Sequence, residues 1–191
     1  MTMSEHLPLA TTEPECERRC GPSGSDRRDF LFAAGAALVA LTLPDLGTAQ
    51  AKVAKYPRKK IGLLSKLKKG EPVLFRYPWD HANCDMVLLK LGREAAGGIG
   101  PDKDVVAFNG LCPHMGWDIP AKKFFADPGI AGPCPGHWTT FDLTRHGMVV
   151  SGHATQGLPQ VVLELDKDDI FATGVLGLIF GFHDNSAEPK A

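Results

Sequence analysis

Two short stretches decide how this chain is read: Cys112-Pro113-His114-Met115-Gly116-Trp117 and Cys134-Pro135-Gly136-His137-Trp138-Thr139-Thr140-Phe141. The first carries Cys-x-His and the second, after 19 intervening residues, Cys-x2-His. Each half offers one soft sulfur donor and one imidazole. The Pro and Gly beside the donors favour tight turns in which backbone N–H groups can point at sulfur. Two sulfur and two nitrogen donors suit a zinc ion or a [2Fe–2S] cluster with mixed ligation. The order of the donors bears on the choice. Zinc fingers usually pair Cys with Cys and His with His, so each half is homogeneous; here each half is mixed.

Outward from these loops the chain reads as short strands. Val73–Tyr77 stops at Pro78, Met86–Leu91 at Gly92, and Val105–Phe108 at Asn109-Gly110. Later come 147–150, 161–165, 170–172 and 175–180, with Asp166-Lys167-Asp168-Asp169 as a hairpin turn. Val, Ile and Phe content with Gly and Pro boundaries argues strands. No window shows helical periodicity over three turns. Gly (21) and Pro (15) are abundant in the 191 residues, which suits a loop-rich β fold. The 21 basic and 22 acidic side chains give a net charge of −1, against a bulk nucleic-acid binder. Hydrophobic content of 43% rules out wholesale disorder. Nothing in the chain resembles a nucleophile triad, a phosphate loop or a paired-carboxylate acid/base site.

The ends carry an address. Residues 1–25 are polar and without periodicity; Arg27-Arg28-Asp29-Phe30-Leu31 then opens a 14-residue apolar run from Phe30 to Leu43. That run falls short of the roughly 18 residues that argue a membrane span and fits a signal-peptide core. Ala49-Gln50-Ala51 is a small-x-small cleavage pattern. Paired arginines ahead of such a core read as a twin-arginine signal, the route that exports folded proteins, so 1–51 is expected to be leader. The expected location is periplasmic, with no membrane span once the signal is cleaved. Cys16 and Cys20 would leave with it. Residues 52–191 then hold 17 Lys/Arg and 15 Asp/Glu, a formal +2, and three cysteines, too few to pair completely. Lysine-rich residues 52–70 read as a basic arm and 71–191 as one domain. Cys84 reads as a buried structural thiol, and His81, His146, His153 and His183, without ligand spacing, as surface or hydrogen-bonded histidines.

The mixed halves resemble the Rieske iron–sulfur proteins. That resemblance implies an all-β antiparallel sandwich with a small cluster-binding subdomain, about residues 110–160, built from the two ligand loops. It implies one [2Fe–2S] cluster per chain, with Cys112 and Cys134 on one iron and His114 and His137 on the other. Two ferric ions, two sulfides, two thiolates and two neutral imidazoles sum to no net charge. Adding an electron is therefore easier than in a four-cysteine cluster, and Rieske potentials lie at roughly −150 to +300 mV. Around the ligands the resemblance places Met115, Gly116, Trp117, Gly136, Trp138, Thr139, Phe141 and Pro159. High-potential relatives carry a bracing disulfide whose positions match Trp117 and Gly136, so no such bond forms here. They also carry Ser and Tyr hydroxyls near the cluster sulfurs; Thr139 keeps a hydroxyl and Phe141 has none. A potential below that of the quinol-oxidising relatives is expected.

Ala154-Thr155-Gln156-Gly157-Leu158-Pro159-Gln160 resembles the small subunit of periplasmic arsenite oxidases and, closely related, of iodate reductases. This implies an electron relay with no catalytic residue of its own. Its partners would be a large molybdopterin-containing catalytic subunit and a soluble cytochrome c or azurin-like copper protein. The competing reading is the Rieske subunit of a quinol:cytochrome c oxidoreductase, with residues 30–43 kept as an anchor.

Overall fold

The structure is a computed structural model that describes residues 55–188. The paired arginines, the apolar run, the cleavage pattern, Cys16 and Cys20 lie outside the described residues. Ten strands form two antiparallel sheets. The larger is built from β1 (Lys59–Leu63), β2 (Val73–Arg76), β3 (Asp85–Lys90), β4 (Val105–Asn109), β9 (Gln160–Asp166) and β10 (Asp169–Leu176). Its spatial order is β1-β10-β9-β4-β3-β2. The smaller is β5 (Phe124–Phe125), β6 (Ile130–Ala131), β7 (Thr140–Asp142) and β8 (Met148–Ser151), paired in sequence order. All of the small sheet, with both ligand loops, falls between β4 and β9. Among the described residues no helix is long and apolar enough to cross a membrane.

Strands β3 and β4 explain the layering. They read as continuous apolar runs because both faces are covered. Val87, Leu89, Val106 and Phe108 point into one core, which also contains Cys112, Cys134, Phe141 and Leu158. Met86, Leu88, Val105 and Ala107 point into a second core with Tyr77, Cys84, Val161, Ile170 and Ile179. The register Val87↔Phe108 and Leu88↔Ala107 keeps these faces apart. The small sheet thus sits on one face of the large one, and the two thiols belong to the core between them. The sixth strand pair is missing, but Lys59 Nζ donates to the Arg76 carbonyl at 2.9 Å, so the outer strands β1 and β2 curl toward each other.

Two elements differ from the sequence reading, for identifiable reasons. The basic arm contains β1, a strand of the large sheet, so the sheet begins before residue 71. Its cations face outward onto acids of neighbouring strands: Arg58 to Glu164 at 3.3 Å and Lys60 to Asp169 at 2.8 Å. Such exposed pairs contribute about 0–1 kcal/mol each. They engage two of the charges that read as a free arm. The segments 170–172 and 175–180 are one strand, β10, ending at Leu176, with the register shifting between Ala172 and Gly174. A glycine inside a strand marks this bulge rather than a break. The expected hairpin is present, with Lys167 in the left-handed region (φ 58).

Candidate metal centre

Both ligand loops are closed by the same pair of backbone hydrogen bonds. In the first, Cys112 N donates to Trp117 O at 2.8 Å and Gly116 N donates to Cys112 O at 2.8 Å. In the second, Cys134 N donates to Thr139 O at 2.8 Å and Trp138 N donates to Cys134 O at 3.0 Å. The fifth residue of each loop takes a left-handed conformation: Gly116 at φ 70 and Trp138 at φ 60. Glycine adopts this freely, whereas a bulky side chain there is strained by roughly 1–3 kcal/mol. Trp138 carries that strain while 73% exposed. A Cβ on Gly116 would lie 2.4 Å from the Phe180 ring, so the C-terminal segment presses onto the first loop.

The donors form two pairs, Cys112 with Cys134 and His114 with His137. Cys112 and Cys134 are buried free thiols. The His114 and His137 rings lie 4.7 Å apart, nearly perpendicular. Their Nδ1 atoms are buried and have no hydrogen-bond partner. An unpartnered buried nitrogen costs about 1–3 kcal/mol, so two side by side ask for a ligand. Burial pushes the Cys112 thiol up to about 11; the His114 N–H opposes this, Cys134 adds to it, and the Thr139 hydroxyl opposes it. A thiol held protonated in this way ligates only when a cation displaces its proton and supplies compensating charge. Among the described residues no three or more His, Cys, Asp or Glu side chains converge on a single ion. A diiron cluster asks only two protein donors of each iron, so this donor set fits a [2Fe–2S] group.

The flanking residues divide. Thr139 is fully buried; its hydroxyl faces the Cys112 sulfur and its Oγ1 accepts from His153 N at 3.1 Å. Phe141 is fully buried in the core that holds both thiols. Trp117 lies against Gly136. Met115 and Trp138 are exposed beside the histidines. Pro159 sits at the foot of β9, its carbonyl accepting from Asn109 N at 2.8 Å and its ring near Gly177. Gly152 and His153 lie against Thr139 and the two imidazoles. His153, without ligand spacing in the sequence, stacks on His114 at 5.8 Å and meets His137 at 6.0 Å. The signal available was its place directly after Gly152, which lets the 151–153 segment approach Thr139.

The third described thiol is separate. Cys84 lies in the other core at 0% exposure, and burial pushes its pKa up. A raised folded pKa means the fold favours the protonated form. Its contribution is complete below the unfolded thiol's pKa and declines as pH rises toward the folded value. Iodoacetamide at mildly alkaline pH is therefore expected to spare Cys84 in the native protein and label it after unfolding, as read by peptide mass; native labelling would place the thiol at the surface.

No protein-family model matches the chain. Two curated proteins match nearly end to end. The chain is 53% identical over 173 residues to iodate reductase subunit IdrB of Denitromonas iodatirespirans, covering 90% of each chain. It is 50% identical over 188 residues to iodate reductase subunit IdrB of Pseudomonas sp. (strain SCT), covering 96% of this chain and 94% of that one. Among solved structures, the soluble domain of the Rieske protein II (soxF) from Sulfolobus acidocaldarius superimposes with a TM-score of 0.59 at 23% identity. That match covers 67% of this chain and 82% of that one, and it bears on the fold.

Proposed function

Since the chain belongs to the iodate reductase subunit IdrB family of Rieske-type electron-transfer subunits, we propose that it relays single electrons between a soluble redox protein and a molybdopterin-containing catalytic subunit that reduces iodate. The observation that carries this is the buried pair of unpartnered Nδ1 atoms on His114 and His137 beside the buried thiols of Cys112 and Cys134. When bound, a [2Fe–2S] cluster supplies one reversible electron at a time.

The chain's own residues do the rest. Cys112 and Cys134 would hold one iron and His114 and His137 the other. The Thr139 hydroxyl and the His114 N–H, both directed at the Cys112 sulfur, favour negative charge there. Matched hydrogen bonds in the two loops fix the donors before the electron arrives, so little must reorganise. The imidazoles are only partly buried, which leaves their outer edges for contact with the electron's source or destination. A cytochrome c or a small copper protein fits that role. The Arg27-Arg28 leader supports export of the folded chain to the periplasm, together with its partner.

Iodate reduction sends electrons into the catalytic subunit, whereas arsenite oxidation would send them out. The second reading rests on the segment 154–160. The two are told apart on the purified complex of this chain with its large subunit. Iodate is expected to reoxidise the dithionite-reduced cluster band, and arsenite to leave the oxidised band unchanged. Bleaching by arsenite with no response to iodate would overturn the iodate assignment.

A further inference from the structure

The ligand loops leave different parts of the chain, the first between β4 and β5 and the second between β6 and β7. Each supplies one thiol and one imidazole, so the spacing between loops sets the geometry of the whole donor set. Their closing hydrogen bonds are internal to each loop. Among the described residues no backbone hydrogen bond runs from one loop to the other. Their cysteines are free, so no cystine joins them.

Besides the facing His114 and His137 rings, a second contact crosses the gap. A methyl group built on Gly136 would lie 2.8 Å from Trp117 Cδ1, 2.9 Å from Cγ and 3.0 Å from Cδ2. Three neighbouring indole atoms at nearly equal distance mean that the ring lies face-on to the Gly136 backbone. Gly136 is not among the glycines in the left-handed region. Its backbone does not demand glycine; the indole does. Trp117 also closes its own loop, its carbonyl accepting from Cys112 N. It lies outside both hydrophobic cores and is 51% exposed, so the fold does not need the ring for its interior.

We propose that Trp117 and Gly136 form a non-covalent clamp that sets the spacing of the two ligand loops, with Trp117 as a positioning residue for the cluster. The inference rests on the assignment of a [2Fe–2S] group to Cys112, His114, Cys134 and His137. An aromatic ring on a bare backbone does what a covalent bridge would do, and a thiol reductant cannot open it.

The test uses the full chain with its partner subunit and follows the visible cluster band in the presence of an iron chelator. Trp117→Ala is expected to lose the band about tenfold faster than the parent, the rate factor for a lost well-packed aromatic contact. Trp117→Phe, which keeps a flat ring, is expected to restore most of the lifetime. Gly136→Ala, which pushes the indole away without removing it, should behave as Trp117→Ala does. Far-UV circular dichroism should stay unchanged, the reduction potential of Trp117→Ala should shift, and dithiothreitol should leave the parent's lifetime unaltered. If Trp117→Ala and Gly136→Ala both keep the parent's cluster lifetime and potential, the clamp is overturned. If the parent itself holds no cluster, the assignment beneath it fails instead.

Discussion

Replacing Cys112 or Cys134 by alanine is expected to give a colourless chain that retains essentially no iron or acid-labile sulfide, while Cys84→Ala stays coloured. All three thiols are free and buried, so burial alone does not separate them. Position does. Cys112 and Cys134 share one core and lie beside the orphaned nitrogens of His114 and His137, whereas Cys84 lies across the sheet in the other core. Losing one thiolate leaves an iron with a single protein donor, and clusters do not persist in that condition. Iron and sulfide analysis of the three variants decides the matter. Equal iron in all three would remove Cys112 and Cys134 from the ligand set.

The second large effect is expected at Gly152. Its φ is +104, and a Cβ there would lie 2.4 Å from Thr139 Cα, 2.7 Å from Thr139 Oγ1 and 2.8 Å from Thr139 N. Thr139 is buried and reaches the Cys112 sulfur, so it cannot yield without moving a ligand loop. Backbone strain and overpacking each cost roughly 1–3 kcal/mol. Gly152→Ala is therefore expected to destabilise by about 3 kcal/mol and lower Tm by about 10 °C. Gly62→Ala in β1, where the nearest atom is Leu88 Cδ2 at 3.7 Å, is the tolerated control. Thermal melting of both checks this. A Gly152→Ala protein melting with the parent would mean that the 151–153 segment is free to move off Thr139.

The candidate donors were legible in the sequence because each loop is a local turn. Cys-Pro-His and Cys-Pro-Gly-His carry both the donors and the residues that bend the chain around them. Strands β3, β4 and β9 were legible for a related reason: they are apolar runs long enough to show a pattern. Strand β1 was hidden by the cations in and beside it, of which Lys60 and Arg58 find acidic partners on β10 and β9 about a hundred residues away in the chain. Strands β5, β6 and β7 have two or three residues each, too few for any periodicity. His153 and the Trp117–Gly136 contact were illegible because they depend on how separate loops pack.

The most direct test of the central claim is pulsed electron paramagnetic resonance on the dithionite-reduced protein. Two sulfur donors on one iron and two imidazoles on the other predict a rhombic signal, its average g below the free-electron value, with couplings from two ligand nitrogens. A signal with no nitrogen coupling, or no signal at all, would contradict the account.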